Sequence, residues 1–258
     1  NRSPLELTDD IRKFIDTHGI DILSLTETDF GSMEQAEDFE IENFTTYLQE
    51  HPSSTGKVRV VVLAKSDLSK NITRRTDIMS SQEFPMVWLE VNLTMSPRYI
   101  LGSAYREWGG DSEKSIDRQI ERLSSLEVQL SKSTNGTGII WIGGDWNLDA
   151  SKFEDPAWHL KGVAAKFTET YERAGLKLEK VSPTYTYRVG NDVRTSELDY
   201  FLTNNEESSH SVKTTLICGF SDHDCATVEL DVGEQRKSRI IEEYFFRRSS
   251  IKNRRKFE

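Results

Sequence analysis

Polar side chains of the kinds that bind cations and activate water follow directly after apolar segments of this sequence. Asp145 and Asn147 come at once after IIWIGG, Glu27 follows DILSLT, and Tyr105 follows YILGSA. Strand ends in layered α/β folds converge on the surface where such proteins place their sites. A carboxylate can hold a hard divalent cation, and an aspartate can take a proton from water.

Two further segments repeat this arrangement later in the chain. Asp199 lies in SELDYFL, and Asp222 and His223 lie in SDHD, which precedes CATVEL. Taken singly, each aspartate is typical of a turn or a helix cap, and Asp145 with Asn147 could form one Asx turn. Their recurrence at strand ends favours a single site instead. An imidazole held by a carboxylate keeps one tautomer and stays charged more readily near an anion.

The hydrolysis of a phosphodiester is one reaction that could use this set of residue types. The reaction needs an in-line nucleophile, neutralisation of developing charge and a stabilised leaving oxygen. Glu27 with Asp222 would supply carboxylate oxygens to Mg²⁺, which often takes only one or two of them and completes its shell with water. Asp145 would face the attacking water. Asn147, two residues on along an extended turn, would project to the same side.

Hydrophobic periodicity predicts the elements that must position these side chains. The predicted helices cover residues 5–19, 112–130 and about 156–174. Gly19 is expected to end the first helix, and Pro156 to lie in the first turn of the third. Few helices among many strands are more typical of two packed sheets covered by helices than of a doubly wound sheet. The predicted strands cover about residues 20–26, 58–64, 86–93, 99–105, 139–144, 184–188, 197–202, 212–217 and 225–231.

The charge of the chain is unevenly distributed. The 258 residues suit one large α/β domain or two small ones, and the net charge is −10. Residues 236–258 nevertheless carry nine Lys or Arg against three Asp or Glu. We therefore expect the folded domain to end near Asp231 and residues 232–258 to form a basic linker or arm. An acidic body can still bind DNA where basic residues cluster and acids surround metal ions.

The two cysteines and the hydropathy restrict the setting of the protein. No apolar run approaches the roughly 20 residues that span a bilayer. Cys218 and Cys225 are the only cysteines, which favours a reducing, intracellular environment. Together with His223 they suggest zinc only weakly, because no fourth ligand is in register, and a structural thiol pair is favoured.

Five segments, in this order and spacing, resemble the endonuclease/exonuclease/phosphatase superfamily: LTETDF, YREW, GGDWNLD, SELDYFLTN and SDHDCATVEL. The resemblance extends from Asn1 to about residue 231, and GDWN and SDH are its most specific parts. Within the superfamily, NRSPLE, DILSLTETDF and YREW are most similar to the endonuclease domain of non-LTR retrotransposon polyproteins, in which a reverse transcriptase follows. The resemblance implies the DNase I-like fold, an α/β four-layered sandwich of two mixed sheets flanked by helices.

The resemblance also implies a divalent metal ion, Mg²⁺ with Mn²⁺ as a substitute. Glu27 is then the principal metal ligand, Asn1 lies beside it, and Asp222 is a second acidic residue near the metal. In the family, the position of Asn1 lies directly after the first strand, which belongs to a sheet. We therefore expect the natural protein to extend upstream of residue 1.

The remaining polar residues take roles in the cleavage itself by the same resemblance. Asp145 positions or deprotonates the attacking water, and Asn147 helps to fix phosphate and base. His223 contacts the scissile phosphate and is oriented by Asp199. Tyr105 touches the phosphate or the leaving group. The expected products carry a 3′-hydroxyl and a 5′-phosphate.

Contacts to the substrate are expected from basic and polar residues near the site. Arg74, Arg75 and Arg106 lie on predicted loops or strand ends, where they could bind phosphates, and Ser196 is a further candidate. Aromatic side chains that could stack on bases or insert into a groove, with core packing as the alternative for the last two, are Trp108, Trp146 and Trp158.

These expectations combine into a DNA endonuclease that nicks its target and leaves a 3′-hydroxyl primer for reverse transcription. Its partners would be the DNA target and a reverse transcriptase domain in the same polypeptide, with nuclear access and no membrane. An abasic-site repair nuclease would keep the fold and the chemistry. A phosphoinositide phosphatase or sphingomyelinase is disfavoured because VRTSELDYFL lacks the Trp-and-Arg-rich signature of the inositol phosphatases. A non-catalytic DNA-binding or scaffold domain is disfavoured because every polar position of the set is filled.

Overall fold

The computed structural model describes residues 4–94, 96–107, 113–206, 211–214, 221–231, 237–240 and 244–245. Its α-helices over these residues are α1 (Pro4–His18), α2 (Met33–Glu37), α3 (Ser66–Ser69), α4 (Glu113–Ser133) and α5 (Lys161–Arg173). Its first strands are β1 (Ile22–Phe30), β2 (Phe44–Leu48), β3 (Val58–Lys65), β4 (Ile72–Arg74), β5 (Met86–Asn92), β6 (Arg98–Tyr105) and β7 (Ile139–Asp145). The later strands are β8 (Lys177–Glu179), β9 (Tyr185–Val189), β10 (Asp192–Ser196), β11 (Asp199–Thr203), β12 (Ser211–Thr214), β13 (Ala226–Asp231), β14 (Lys237–Ile240) and β15 (Tyr244–Phe245).

Two mixed sheets and one hairpin contain these strands. Sheet A has the order β12-β13-β14-β1-β3-β2, with β15 also paired to β1. Sheet B has the order β4-β5-β6-β7-β11-β8. In sheet B, β6 and β7 run parallel, and β11 is antiparallel to β7. The hairpin consists of β9 and β10 alone.

Three apolar clusters show how the layers stack. One lies between the sheets and combines Val60 and Val62 of sheet A with Leu101 and Phe201 of sheet B. The second packs sheet B under α4 and α5, and the third packs sheet A under α1. The order of layers is therefore helix, sheet A, sheet B, helices, which confirms the predicted four-layered sandwich. Burial of apolar surface in all three clusters is the main force that holds the layers together.

The predicted first helix is confirmed. Ile11, Phe14 and Ile15 of α1 are buried against sheet A, as their spacing along one helical face requires. Gly19 follows the helix with a φ of 64°, a left-handed conformation that glycine adopts without steric cost. The pattern of apolar residues is therefore sufficient to locate this element.

The third predicted helix begins later than expected. In the structure this helix, α5, begins at Lys161 and not near Pro156, because residues 155–158 form a turn. The carboxylate of Asp155 accepts from the backbone N–H of Ala157, at 2.9 Å, and the Asp155 carbonyl accepts from Trp158, at 3.2 Å. An aspartate that bonds its own downstream backbone favours a turn over a helix, and proline fits the turn equally well.

The segment expected to be a basic linker contributes two short strands to sheet A. β14 pairs with β13 over four residues and with β1 at Ile22, and β15 pairs with β1 at Leu25 and Thr26. The domain boundary placed at Asp231, with a linker over 232–258, is therefore wrong for these residues. The physical reason is that an unpaired backbone beside β1 would be costly. Because the segment is highly charged, its short apolar runs were not interpreted as strands. Residues 246–258 lie outside the described part of the chain.

The described helices include none that is both long and apolar enough to cross a membrane.

Candidate active site

Three adjacent strands of sheet B bring their terminal residues into register. Tyr105 at the end of β6 lies beside Asp145 at the end of β7, and Asp145 lies beside Asp199 at the start of β11. Neighbouring strands are about 4.8 Å apart, and residues in register project to the same face. That face is the one covered by sheet A, since Tyr105 belongs to the cluster between the sheets. The three side chains therefore meet at the rim of the sandwich.

Glu27 reaches the same rim from sheet A. The pairing of β1 with β3 is irregular between Thr26 and Phe30, and Glu27 and Asp29 within this bulge have φ values of 51° and 57°. Bulges beside active sites redirect side chains, and a glutamate rarely adopts a left-handed backbone. The carboxylate of Glu27 accepts a hydrogen bond from the Tyr105 hydroxyl, which ties the two sheets together at the site.

Asp199 and His223 form a buried pair. His223 Nδ1 lies 2.9 Å from Asp199 Oδ2, and the two side chains are 7% and 0% exposed. Burial opposes the charged imidazole, but the charges of Asp199, Asp145 and Asp222 and the bond to Asp199 outweigh it and raise the pKa of His223 to about 9. Nδ1 faces Asp199, and Nε2 is the ring nitrogen on the opposite side of the imidazole. The backbone N–H of His223 donates to the Ser221 hydroxyl, at 3.1 Å, which fixes the turn.

Asp145 is the most strongly perturbed carboxyl of the site. Burial, followed by the charges of Asp199 and Glu27, raises its pKa well above the usual range, and the charge of His223 acts in the opposite direction. A carboxylate with a raised pKa is a stronger proton acceptor once it is ionised. Strong perturbation within a cluster of titratable groups is typical of functional sites.

Asn147 does not continue an extended turn, as the sequence suggested, but turns back on Asp145. Its φ is 46°, a left-handed conformation in which asparagine is enriched. Its backbone N–H donates to Asp145 Oδ1 at 2.8 Å, and its Nδ2 donates to Asp145 Oδ2 at 3.0 Å. The Asx turn considered as an alternative is therefore present, and it lies within the site. Asn147 orients the carboxylate of Asp145 through both of its oxygens.

The hairpin of β9 and β10 extends from the site. Tyr185 forms a β-bridge with His223, and their ring centroids are 4.7 Å apart. Tyr187 stacks on Tyr185 at 5.6 Å, and the exposed Arg194 pairs with Tyr187 across the hairpin. A row of rings with an arginine beside it therefore leads away from the imidazole.

Sequence reasoning missed three of the residues that support the site. The Thr184 hydroxyl accepts from the backbone N–H of Asp199, at 3.3 Å, and Tyr185 packs on His223. The Arg59 guanidinium lies 5.5 Å from the centre of the Tyr105 ring and is ion-paired with Asp29. Thr184 and Tyr185 precede β11 by many residues, and Arg59 lies inside an apolar strand, so no local pattern marks them. Only the pairing of strands brings them to the site.

The predicted metal ligands are only partly described by the structure. Asn1 lies outside the described residues, and Asp222 is exposed beside His223. Within the described ranges, no group of three or more His, Cys, Asp or Glu side chains is arranged to hold a metal ion by itself. The local chemistry nevertheless fits a cation, because the carboxylates of Glu27, Asp145 and Asp199 converge on one rim beside His223. Mg²⁺ commonly binds one or two carboxylates and keeps several waters, so this donor set is compatible with it.

The residues predicted to bind substrate lie in different parts of the structure. Arg106 is 4% exposed and bonds to protein atoms, which contradicts a phosphate contact. Arg75 is ion-paired with Asp77 and Glu90, and Arg74 donates to the Leu48 carbonyl at 2.6 Å. Arg74 is the last residue of the edge strand β4 and Arg75 follows it, so neither lies among the strand ends of β6, β7 and β11 that form the site. Ser196 is buried at the base of the hairpin, opposite Tyr185.

Where they are described, the tryptophans and the cysteine are packed in the fold. Core packing was the alternative to base stacking, and a structural thiol was the alternative to zinc binding. Trp146 is fully buried and donates to the Tyr200 carbonyl at 2.9 Å, and Trp158 packs on Phe153. Cys225 is buried, and its thiol donates to the Ala226 carbonyl at 3.5 Å. Trp108 and Cys218 lie outside the described residues, so the base-stacking role of the first and the thiol pair of the second stay predictions.

Three solved structures have a similar fold at low sequence identity. The endonuclease domain of TRAS1, a telomere-specific non-LTR retrotransposon, is 16% identical with a TM-score of 0.60, over 89% of this chain and 93% of that one. The catalytic domain of Xenopus laevis APE2 is 12% identical with a TM-score of 0.62, over 90% and 91% of the two chains. Truncated Caenorhabditis elegans TDP2 is 13% identical with a TM-score of 0.55, over 88% and 91%. At these identities the likeness shows the fold alone.

Comparison by sequence identifies the family directly. No curated protein sequence matches this chain significantly. The model of the Endonuclease/Exonuclease/phosphatase family matches residues 2–223, which include all the strand ends of the site and His223. This chain therefore belongs to the endonuclease/exonuclease/phosphatase family.

Proposed function

We propose that this chain is a metal-dependent DNA endonuclease that nicks its target and leaves a 3′-hydroxyl, as the endonuclease domain of a retrotransposon protein. Members of its family are typically hydrolytic nucleases or phosphatases. The single observation that carries the proposal is the in-register row of Tyr105, Asp145 and Asp199, with Glu27 and His223 against it. This row supplies a base, a cation-binding acid and a positive hydrogen-bond donor within one rim.

Asp145 acts as the base in this proposal. It takes a proton from the attacking water while the water oxygen forms a bond to phosphorus and the bond to the 3′ oxygen breaks. Burial and neighbouring acids strengthen it as a base. Both Asp145 oxygens are held by Asn147, so the carboxylate is oriented before the substrate arrives. Orientation of this kind removes part of the entropic barrier of the reaction.

His223 acts as a donor to the phosphate, and Tyr105 keeps its hydroxyl proton in the hydrogen bond to Glu27. A pKa of about 9 keeps His223 protonated at neutral pH, so Nε2 carries a proton and the ring a positive charge. Burial, followed by the charge of Glu27, raises the pKa of the Tyr105 hydroxyl, which therefore also keeps its proton. Fixed donors aimed at developing negative charge are usually the largest contribution to catalysis.

Glu27 would hold the metal ion, with Asp222 as the second acid and Asn1 contributing from outside the described residues. The bound ion would neutralise charge on the phosphate oxygens and stabilise the leaving oxygen. Family members generally use divalent ions, and we infer Mg²⁺, with Mn²⁺ as a substitute. The half-buried carboxylate of Glu27 accepts the hydrogen bond of the Tyr105 hydroxyl, which holds the carboxylate in one orientation.

Two features favour a nucleic acid as the substrate. The aromatic row of Tyr185 and Tyr187 with Arg194 beside it offers stacking surfaces and a positive charge, the combination that binds nucleic acid strands. The similar structures include the endonuclease domain of a non-LTR retrotransposon. A reverse transcriptase domain in the same polypeptide and access to nuclear DNA follow from this assignment.

An abasic-site nuclease is the second candidate, since the structure of an APE2 catalytic domain is comparably similar. A phosphoinositide phosphatase or sphingomyelinase would need a pocket for a lipid headgroup beside His223, where the hairpin places Tyr185.

A panel of substrates tests the proposal against these alternatives. The purified chain is incubated with Mg²⁺ and supercoiled plasmid, an abasic duplex, inositol phosphates or sphingomyelin. We expect kcat/KM to be highest for intact plasmid DNA. Higher kcat/KM for the abasic duplex would establish the repair nuclease instead, and release of phosphate from inositol phosphates or phosphocholine from sphingomyelin would overturn both nuclease assignments. Asp155→Asn, which changes an exposed acid outside the site, serves as the matched control for every active-site variant.

A further inference from the structure

Arg106 follows Tyr105 directly, yet its side chain enters the protein. It is 4% exposed, and its Nη1 donates to the backbone carbonyls of both Trp146 and Asn147, at 3.0 Å each. Its Nη2 donates to the Gln119 carboxamide of α4. One guanidinium therefore connects the end of β6, the loop after β7 and a helix on the outer face of sheet B.

Two further hydrogen bonds join the backbone of Arg106 to residues 145–147. The Arg106 backbone N–H donates to the Asp145 carbonyl at 2.9 Å, and Asn147 Nδ2 donates to the Arg106 carbonyl at 2.8 Å. These bonds close a ring around residues 145–147. Asn147 has a left-handed φ of 46° within this ring, a conformation that persists only where the surroundings determine it.

Over the described part of the chain, the charge of Arg106 is matched by the dipoles of two backbone carbonyls and one carboxamide. Among the described residues, no carboxylate accepts a hydrogen bond from its guanidinium. Burial lowers its pKa to about 10, so the group stays charged at neutral pH. The forked, planar shape of the guanidinium suits convergent acceptors, which the point charge of a lysine does not. The site therefore depends on the shape of the arginine and not only on its charge.

We propose that Arg106 is a positioning residue that holds the Asp145–Asn147 turn in its catalytic conformation and does not contact the substrate. The inference rests on the proposed function only where cleavage is measured. It assigns a role that differs from the phosphate contact expected from the sequence.

The first test measures the turn itself and needs no substrate. Hydrogen–deuterium exchange is compared in the wild type, in Arg106→Lys and in Arg74→Lys. Arg74 is the matched control, because its guanidinium also donates to a backbone carbonyl, but outside the site. We expect Arg106→Lys to speed exchange in a peptide covering residues 145–148 while exchange in β5 stays unchanged. Unchanged exchange in 145–148 would overturn the proposal even if the chain had no nuclease activity.

The second test measures cleavage in a double-mutant cycle of Arg106→Lys and Asn147→Ala. We expect Arg106→Lys to lower kcat by roughly 10–100-fold with KM unchanged, since small misplacements of catalytic groups cost about this much. In the Asn147→Ala background, where the turn is already lost, the same change should have little effect. A raised KM with unchanged kcat would establish a substrate contact, and equal factors in both backgrounds would establish an independent role.

A second variant keeps the inference testable if Arg106→Lys does not fold. Gln119→Ala removes only the bond from α4 and leaves the guanidinium in place. We expect a smaller fall in kcat, of roughly 3–10-fold, in the same direction. Full activity of a folded Gln119→Ala, together with unchanged exchange in residues 145–148, would show that the anchoring of Arg106 to α4 does not position the turn and would overturn the proposal.

Discussion

Asp145 occupies the middle of the site because three strands end beside one another there. Each neighbour contributes a different property: Asp199 adds negative charge and orients His223, Tyr105 connects to Glu27, and Asn147 fixes the carboxylate. The perturbed pKa values of Asp145 and His223 are consequences of this crowding in a buried setting.

The pH dependence of cleavage should report the ionisation of His223, whose pKa depends on Asp199. Because the pKa of His223 is raised to about 9, cleavage should decline as the pH rises through that value and the imidazole loses its charge. Asp199→Asn removes the negative charge that raises this pKa, so the alkaline decline should move to lower pH. The measurement is a pH profile of kcat/KM, with Asp155→Asn as control. An alkaline limb that stays in place in Asp199→Asn would contradict the assignment.

That the candidate site residues lie together could be predicted from the sequence, but their contacts could not. Glu27, Asp145, Asp199 and His223 lie in or beside strands, near the points where those strands begin or end, and their convergence was inferred from that placement. The left-handed φ of Asn147 and the burial of Arg106 depend on how β6 and β7 lie together. From residue type alone, an arginine that follows a strand is interpreted as a phosphate ligand. Only the packing of the fold shows that the guanidinium of Arg106 points inward.

The pairing of β6 with β7 requires a glycine at the end of β7. A Cβ on Gly144 would overlap the carbonyl oxygen of Ala104 in the neighbouring strand. We therefore expect Gly144→Ala to destabilise the fold by at least about 1–3 kcal/mol, the usual range for overpacking, and to displace Asp145. Gly162→Ala in α5 is the matched control, because nothing lies within 4 Å of its added methyl group.

Chemical denaturation distinguishes the two glycine variants. Gly162→Ala should be neutral or more stable by up to roughly 1 kcal/mol, since alanine is the better helix former. Equal stability of Gly144→Ala and the wild type would show that the strands can separate without loss, and would remove the reason for the fixed position of Asp145.

The hairpin of β9 and β10 should bind nucleic acid through one face. Tyr187 and Arg194 lie on the face that continues from His223, whereas the exposed Arg188 lies on the opposite face. In an Asp145→Asn background, Arg194→Ala should weaken DNA binding and lower the slope of log K against log salt by about 1. Arg188→Ala should leave both unchanged. Equal effects of the two substitutions would contradict a single binding face.

Periodicity predicted the long elements and missed the short ones. β3, β5, β6 and β7 have apolar runs that identify them, and the stripe of α4 is regular. β4 and β8 have three residues each, too few for a pattern. The start of α5 depended on whether Asp155 would bond its own backbone, which is a choice between two local structures of similar energy.

At the scale of the whole molecule, sheet A is completed by chain that the charge pattern marked as a linker. β14 lies between β13 and β1, so it pairs on both sides. The charge of a segment indicates how its side chains are solvated. It does not show whether its backbone pairs with another strand. Strand pairing that joins distant parts of the chain is therefore the least predictable part of this fold.

Removal of residues 236–258 should lower the melting temperature. The deletion removes β14 and β15 and leaves backbone groups of β1 and β13 without partners. A loss of a few kcal/mol corresponds to at least roughly 5 °C for a domain of this size. Deletion of residues 246–258 alone, which keeps both strands, is the control and should have little effect. A full deletion that melts like the wild type would show that the two strands contribute nothing to stability.

The most direct test of the account is the nicking of supercoiled plasmid by the wild-type chain and by Asp145→Asn, side by side, with Mg²⁺ or with EDTA. The account predicts open circular product with Mg²⁺ only, a nick that a DNA polymerase extends without prior end repair, and a rate at least about 10²-fold lower for Asp145→Asn. Nicking that continues in EDTA, or that proceeds in Asp145→Asn at the wild-type rate, would contradict the assignment of this rim as a metal-dependent phosphodiesterase site.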